Sequence, residues 1–254
     1  MTVSWTARVP ILVLLGAVAC SDGPGVGVPV VEEPVRAVAP ESLPAEVAAE
    51  PAEEPEVTVL AELRAHPRVV AQAHDLARDH RTVRVALQRA EEFFAMIEQE
   101  LLAHGLPREL AFVPMVESVF LAEARGRRAV GLWQFTASTA RAYGLKVEKG
   151  LDERRDPEKS TQAAVRYLRD LHARFGSWEL ALAAYNAGPS RVRRAQARLP
   201  GGSYWDLSEA KLLPPITRRY VPKVIGSALL ADEPERFGLA LPDGLAAVAF
   251  SVAG

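Results

Sequence analysis

Glu117 is the residue whose neighbours most favour acid–base chemistry in this chain. It lies inside the apolar run VPMVESVF, residues 113–120. Helical spacing would place Val113, Pro114 and Phe120 on the same side as its carboxylate, at offsets of three and four. An ionised carboxylate is poorly solvated there, so its pKa should rise towards the pH at which it can both donate and accept a proton. The alternative is a buried glutamate that is paired with an arginine or caps another helix.

The elements that must position Glu117 are predicted to be helices. Its own segment is expected to begin near Pro107, because proline is tolerated in a first helical turn. The apolar period of residues 83–104 indicates a long amphipathic helix, whose buried face is expected to contain Phe93, Phe94, Met96, Ile97, Leu101 and Leu102. Asp156-Pro157 indicates the start of another helix, with Tyr167 on its inner face. Shorter helices are predicted over 137–143, 178–185, 190–198 and 217–232, with Thr136 and Ser177 as N-caps of the first two and Pro222 in the first turn of the last. With almost no strand signal, the sequence predicts a mainly α domain over about residues 58–240.

Composition and charge exclude several classes of function. The 254 residues are 49% hydrophobic, which is ample for a packed core, and a formal net charge of -2 gives no global attraction to nucleic acid. The single cysteine, Cys20, leaves no partner for an intrachain disulfide. Five histidines without paired spacing indicate no metal site, and the absence of a glycine-rich phosphate loop indicates no cofactor. We expect a monomer.

The first 20 residues have the pattern of an export signal. Arg8 precedes an apolar core, residues 9–15, that is too short to span a bilayer. The small residues 16–19 before Cys20 resemble the lipobox of bacterial lipoproteins, in which the cysteine becomes the acylated first residue of the mature chain. An ordinary cleaved signal with a coincidental cysteine is the alternative. Ser21, in place of aspartate, implies through this resemblance a location on the periplasmic face of the outer membrane.

Residues 21–57 are predicted to form a disordered linker. They are rich in Pro, Glu, Val, Gly and Ala, and they contain no aromatic residue and no helical period. In a polyproline-like conformation, at about 3.1 Å per residue, such a segment reaches on the order of 100 Å. Residues 241–254 are expected to be a short apolar tail.

Four short motifs follow one another along the predicted helical domain. They are Glu117-Ser118, Gly131-Leu132-Trp133-Gln134, Ala184-Tyr185-Asn186-Ala187-Gly188 and Thr217-Arg218-Arg219-Tyr220-Val221. In this order they resemble the motifs of the lysozyme-like lytic transglycosylase (SLT domain) family, most closely its membrane-bound lytic murein transglycosylase D type. The resemblance covers roughly residues 85–238. It implies a lysozyme-like helical fold with a substrate groove.

The resemblance also implies a reaction on the glycan strands of peptidoglycan. It is cleavage of the β-1,4 bond between N-acetylmuramic acid and N-acetylglucosamine, with formation of 1,6-anhydro-N-acetylmuramic acid and without a metal. Most glycosidases use two carboxylates. The other candidates are predicted to lie in charged, loop-like surroundings; they are Glu123, Asp152, Glu153 and Asp156. Glu117 would therefore act first as acid and then as base, while the N-acetyl group of the substrate stabilises the developing cation.

Supporting roles near the catalytic residue follow from the first two motifs. Ser118 would hydrogen-bond near the acid or the sugar, or else satisfy backbone at the helix end. Trp133 would offer an apolar face for sugar stacking, or else belong to the core. Gln134 would bind an N-acetyl or peptide group.

The last two motifs supply three further candidate residues. Tyr185 and Asn186 would line the cleft, although Asn186 before a glycine is also a plausible helix C-cap. Tyr220 would aim its hydroxyl at Glu117 or the substrate, or else place its ring in the core.

Two departures from the family pattern accompany the resemblance. Ile216 stands where family members usually carry glutamate, before the threonine of the fourth motif. The lysozyme-motif repeats that often follow the domain in this type do not occur before Gly254, so we expect no added glycan-binding module. A hydrolytic muramidase and a non-catalytic peptidoglycan-binding lipoprotein remain the alternatives.

Overall fold

The computed structural model describes Leu60 and residues 62–240. The predicted signal peptide with Cys20, the linker 21–57 and the tail 241–254 lie outside the described residues, so these boundaries stay predictions. Within the described part, every helix is either too short or too polar to cross a membrane.

Helices make up most of the described residues, which confirms the mainly α prediction. The α-helices are α1 (Pro67–Arg78), α2 (His80–Ala103), α3 (Val113–Ser118), α4 (Ala137–Ala142), α5 (Pro157–Phe175), α6 (Trp178–Ala187), α7 (Pro189–Arg198), α8 (Tyr204–Glu209) and α9 (Thr217–Asp232). Single 3₁₀ turns occur at Leu63–Ala65, Arg108–Phe112, Glu153–Arg155 and Pro234–Phe237. The segment near Pro107 therefore begins as a 3₁₀-helix and becomes α-helical only at Val113.

Two small antiparallel hairpins interrupt the helices. In the first, β1 (Ala129–Val130) pairs with β2 (Phe135–Thr136), and in the second β3 (Val147–Glu148) pairs with β4 (Leu151–Asp152). The first hairpin encloses the turn 131–134. Strands of two residues are too short to produce a visible alternation of apolar and polar residues, which explains the lack of a strand signal here.

Several helix starts follow the expected capping chemistry. Asp156 accepts a hydrogen bond from the backbone N–H of Lys159, and Pro157 fills the first position of α5. Thr136 and Ser177 cap α4 and α6 in the same way. These caps are encoded by a few adjacent residues, and each one was predicted correctly.

The long helix α9 is the centre of the core and packs against α1, α3 and α6. Pro222 lies in its second turn rather than its first, so the carbonyl of Arg218 loses its usual helical donor. The buried Tyr204 hydroxyl donates to that carbonyl at 2.9 Å and replaces the missing bond. Tyr204 begins α8, a helix that the sequence analysis did not predict.

One residue assigned to the core lies outside it. Leu102, near the end of α2, was expected on the buried face, but 54% of its surface is exposed. The predicted inner residues Phe93, Phe94, Ile97 and Leu101 are buried.

Candidate active site

Glu117 lies in the last turn of α3, where the chain leaves the helix abruptly. Val119 and Phe120 both adopt left-handed backbone conformations, with φ of 54° and 51°. Phe120 is therefore not on the helical face of Glu117, and that prediction is wrong, although its ring is buried. A non-glycine residue in this region costs on the order of 1–3 kcal/mol. Arg89 of α2 donates to the Val119 carbonyl at 3.2 Å and helps to hold the bend.

The two oxygens of the Glu117 carboxyl group have different surroundings. Tyr220 donates its hydroxyl to Oε1 at 2.6 Å. Oε2 has no hydrogen-bond partner among residues 62–240, yet it is not buried. One oxygen is therefore fixed in place, and the other is open to a ligand.

The protonation equilibrium of Glu117 is suited to proton transfer near neutral pH. Burial raises the pKa of Glu117 to about 7, against a smaller lowering by the Tyr220 hydrogen bond and by the Lys223 ammonium. Both protonation states are then populated near pH 7, as a group that acts first as acid and then as base requires. This agrees with the rise expected from its apolar neighbours.

Lys223 is a site residue that sequence analysis missed. It follows Tyr220 by three residues on α9, so the two side chains share a helix face. Burial lowers the pKa of Lys223, and the Glu117 carboxylate raises it in part. The spacing from Tyr220 was the only available signal. Its charge favours the carboxylate form of Glu117.

Two hydroxyl groups fix the turn 131–134 beside Glu117. Ser118 donates to the carbonyl of Leu132 at 2.8 Å, and Tyr185 donates to the carbonyl of Trp133 at 2.7 Å. Ser118 is buried and also reaches the carbonyl of Pro114 at 3.2 Å. Of its two predicted roles, Ser118 therefore has the structural one, in which its hydroxyl donates to backbone carbonyl groups. Both hydroxyls position the motif turn.

Trp133 belongs to the core. Its side chain is fully buried, and its indole Nε1 donates to Thr161 of α5 at 2.9 Å. A ring without exposed surface has no face to offer a sugar, so the stacking role is wrong and the core alternative is right. Its backbone carbonyl, however, is the acceptor that anchors Tyr185.

Gln134 closes the same turn with its side chain. Its backbone is left-handed, with φ of 50°, and its amide nitrogen donates to the carbonyl of Gly131 at 2.8 Å. The side chain is half-buried. Contact with an N-acetyl or peptide group stays a prediction for this residue.

Asn186 connects two of the helices that form the site. Its Oδ1 accepts a hydrogen bond from the buried hydroxyl of Thr217 at 2.8 Å, which joins α6 to the start of α9. The C-cap alternative is wrong, because α6 continues to Ala187 and Gly188 is the cap. The hydrogen bond from Thr217 to Asn186 fixes the position of α6 relative to α9. It therefore also fixes the relative positions of Tyr185 and Tyr220, which belong to the same two motifs.

The comparisons with known proteins agree with this arrangement. The family model for the transglycosylase SLT domain matches residues 94–207, a range that contains Glu117, the turn 131–134 and α6.

Residues 94–207 are therefore similar to the transglycosylase SLT domain, and we call them the SLT region.

Two known relatives match this region over only part of their own length. Membrane-bound lytic murein transglycosylase D of Escherichia coli (strain K12) is 38% identical over 160 residues, which cover 61% of this chain and 34% of the relative. A putative tributyltin chloride resistance protein of Alteromonas sp. (strain M-1) is 41% identical over 109 residues, covering 42% and 53%. The chain thus matches about a third to a half of the length of these relatives.

A solved structure has a similar fold. The 70 kDa soluble lytic transglycosylase from Escherichia coli superposes with a TM-score of 0.50 at 20% sequence identity. The match covers 76% of this chain and 34% of that one. At this identity the likeness establishes a shared fold.

A row of tyrosines leads away from the SLT site. The ring of Tyr185 lies 5.3 Å from that of Tyr167, which lies 4.8 Å from that of Tyr143. All three are only partly buried. Tyr167 was expected on the inner face of α5, but its ring contact with Tyr185 was not predicted. These rings have the partial exposure that Trp133 lacks.

A second buried carboxylate was also missed. Glu109 is 3% exposed and forms an ion pair with Arg64, which also pairs with Asp232 of α9. This pairing is the structural role that the sequence left open for Glu117. It ties the 3₁₀ turn before α3 to the central helix. Among the described residues, no three His, Cys, Asp or Glu side chains are grouped to hold a metal ion.

Replacing Tyr220 by phenylalanine should raise the pKa of Glu117 above about 7. The lost hydrogen bond favours the carboxylate, so its removal favours the protonated form. A hydrogen bond to a charged group contributes about 1.5 kcal/mol, which corresponds to about one pH unit. Carbon-13 NMR of the Glu117 carboxyl group would measure the change.

Tyr143→Phe is the matched control for that titration. Its hydroxyl donates to Asp170 at 3.1 Å, so the pKa of Glu117 should stay where it is in the wild type. A Tyr220→Phe protein whose Glu117 titrates at or below the wild-type value would contradict the role of this hydrogen bond.

Proposed function

We propose that the protein is a peptidoglycan lytic transglycosylase. Its substrate is the β-1,4 bond between N-acetylmuramic acid and N-acetylglucosamine, and its product carries a 1,6-anhydro-N-acetylmuramic acid end. The observation that carries this proposal is the asymmetric Glu117 carboxyl group, with Oε1 held by Tyr220, Oε2 open and a pKa of about 7. The match to the SLT domain and the similarity to membrane-bound lytic murein transglycosylase D support the same reaction class.

The reaction proceeds in two proton transfers through one carboxyl group. Protonated Glu117 donates from Oε2 to the glycosidic oxygen, and the bond from that oxygen to C1 of the muramic acid breaks. The N-acetyl group of the same sugar stabilises the developing cation, as in substrate-assisted glycosidases. Glu117, now a carboxylate, accepts the proton of the C6 hydroxyl as O6 forms its bond to C1. The enzyme returns to its starting state and no water is consumed.

The charges around Glu117 fit this order of events. Lys223 and the Tyr220 hydroxyl favour the carboxylate, which is the form that leaves the first step. Burial favours the protonated form of Glu117, which donates the proton in the first step. The balance keeps the two forms close in free energy, so neither transfer is strongly uphill.

Substrate contacts are assigned to the open side of the site. Gln134 and Asn186 are proposed to border the sugar, with their amides already oriented by Gly131 and Thr217. The partly exposed rings of Tyr185 and Tyr167 offer apolar surface for a sugar ring in place of Trp133.

Product analysis separates this reaction from that of a muramidase. Digestion of purified peptidoglycan should release anhydro-muropeptides, with no oxygen-18 incorporated from labelled water. Fragments with reducing ends, each heavier by one water and carrying the label, would assign the protein to the hydrolases instead. Both products are resolved by mass spectrometry of the same digest.

The proposed location is the periplasmic face of the outer membrane, with a lipid anchor at Cys20. The support is the lipobox-like sequence before Cys20 and the serine after it. Two or more acyl chains give stable anchoring where one does not. A Cys20→Ser protein should lose labelled fatty acid and leave the membrane fraction; retention of both would refute the anchor. The proposed partner is the glycan strand, bound by a monomer.

A further inference from the structure

A cationic groove runs over the surface between α7 and the start of α9. We define it by Arg68, Lys211, Arg218 and three arginines of α7, namely Arg191, Arg194 and Arg198. It consists of two adjoining cavities, of about 410 and 220 Å³, which share Pro215 as a lining residue. The larger cavity contains the α7 arginines and Lys211, and the smaller contains Arg68 and Arg218.

The charge of this region is unlike that of the whole chain. Residues 189–223 contain eight arginines and lysines but only two acidic residues, Asp206 and Glu209. The carboxylate of Asp206 is already engaged in the N-terminal cap of α8 with Ser203. The formal charge of the segment is therefore 8 − 2 = +6, in a chain of net charge -2. Such a concentration of one sign attracts an anionic ligand.

The groove also contains hydrogen-bond donors without acceptors. Nη1 of Arg68 and Nε of Arg218 are buried and have no hydrogen-bond partner among the described residues. An unsatisfied buried donor costs about 1–3 kcal/mol, and more when it is charged. Both atoms belong to residues that line the smaller cavity. At these atoms the two guanidinium groups therefore have no acceptor from the part of the protein that the structure describes.

The arrangement of the α7 arginines suits several carboxylates on one flexible chain. Arg191, Arg194 and Arg198 are spaced by three and four residues, so they share one helix face and span about 10 Å. None of them forms an ion pair within the described residues. Guanidinium groups bind carboxylates through two parallel hydrogen bonds. The apolar floor, which includes Leu213 and Pro214, can contact short aliphatic side chains.

The groove reaches the N-terminal end of α9, where Arg218 and Pro222 lie on a different face of the helix from Tyr220. Pro215 precedes Thr217 by two residues, and Thr217 holds Asn186 beside the catalytic tyrosines. Ile216, between these two residues, is 44% exposed. Because it is apolar, this position supplies no carboxylate that could neutralise the groove. The same helix, α9, therefore carries both the tyrosine that holds Glu117 and part of the cationic groove.

We propose that the cationic groove binds the carboxylates of the peptide stems carried by muramic acid. This inference rests on the proposed function, because it takes peptidoglycan as the ligand. An anionic bilayer is the less suitable occupant, since these charges line concave cavities rather than a protruding surface. The groove would align the glycan by its peptides.

Binding of free and amidated stems tests the groove. Soluble glycan fragments with free stem carboxylates would be titrated calorimetrically into the full chain carrying Glu117→Gln, which prevents turnover, and the titration repeated after the carboxylates are converted to amides. We expect amidation to weaken binding about tenfold, because two exposed arginine pairs together contribute about 1.4 kcal/mol. We call the Kd for amidated stems divided by the Kd for free stems the amidation ratio. In the same background, Arg194→Gln with Arg198→Gln should reduce this ratio from about ten to nearly one.

Two further variants make the test specific. Arg81→Gln with Arg84→Gln removes the same charge from exposed positions of α2, and it should leave the tenfold ratio unchanged. Ile216→Glu adds a carboxylate next to Pro215 and should lower the ratio. A ratio near one in the parent protein, or equal losses in the two arginine pairs, would overturn the proposal.

Separate measurements distinguish failure of the groove from failure of the proposed function. Anhydro products from the wild type together with a ratio near one would retain the reaction and reject the groove. A tenfold ratio without any cleavage product would retain the groove and reject the lyase. Sedimentation with phosphatidylglycerol vesicles that depends on Arg194 and Arg198, with a stem ratio near one, would assign the surface to a membrane and reject the proposal.

Discussion

Glu117→Gln is expected to abolish the release of muropeptides while leaving glycan binding largely intact. The amide has the shape of the carboxyl group and can still accept the Tyr220 hydrogen bond through Oε1. It can neither donate a proton to the glycosidic oxygen nor accept one from O6. General acid–base catalysis is worth about 10²–10⁴-fold, and because one group serves both transfers here we expect a loss of about 10³-fold or more. Chromatography of the digest measures the rate.

Binding decides how a loss of activity is interpreted. The variant should still sediment with insoluble peptidoglycan, because Gln134, Asn186 and the tyrosine row are unchanged. A Glu117→Gln protein that still solubilises cell walls would show that another group is the acid, or that the SLT site does not cleave. A variant that neither binds nor cleaves would point to a damaged groove instead.

The stability of the same variant provides a check on folding. The pKa of Glu117 is about 7 in the folded protein against an ordinary value of 4.5, so the folded state binds more protons between these values. Stability contributed by the protonated form is therefore lost as the pH rises from about 4.5 to 7. Above pH 7 the wild type carries a cost of at most about 3 kcal/mol, reduced by partial exposure of the side chain. Urea unfolding should find Glu117→Gln more stable than the wild type near pH 8, and this advantage should vanish near pH 5.

Features encoded by adjacent residues could be predicted from the sequence. The start of α5 at Asp156-Pro157 and its end at Gly176 depend on local capping and backbone preferences. The raised pKa of Glu117 was expected from its apolar neighbours. The same rules could not predict that Trp133 is buried. Its indole binds Thr161, which lies in a helix that begins more than 20 residues later.

The active-site geometry depends on contacts between distant parts of the chain. Glu117 and Tyr220 are 103 residues apart, and only the family resemblance suggested their contact. The pairing of Arg64 with Glu109 and the compensation of Pro222 by Tyr204 had no local signal at all. Helical periodicity also failed at Phe120, because two left-handed residues end α3 just after Glu117. Such contacts are fixed by packing, which a periodic pattern does not describe.

Gly131→Ala is expected to destabilise the domain by about 3 kcal/mol or more. Gly131 has a φ of 88°, and a Cβ at this position would lie 1.7 Å from the carbonyl oxygen of Arg154. Because that atom is backbone, a rotamer change cannot relieve the overlap, and the turn 131–134 must separate from the Glu153–Arg155 segment. The strain of the left-handed conformation adds to this cost. Urea unfolding near pH 7 measures the loss.

Gly150→Ala isolates the steric part of that effect. Gly150 has a nearly identical φ of 86°, but a Cβ there would meet no atom within 4 Å. It should therefore cost only the left-handed penalty, about 1 kcal/mol. The difference between the two variants reports the contact with Arg154, and equal losses would contradict it. Movement of the turn would also withdraw the carbonyls that anchor Ser118 and Tyr185, so only Gly131→Ala should reduce activity in the protein that remains folded.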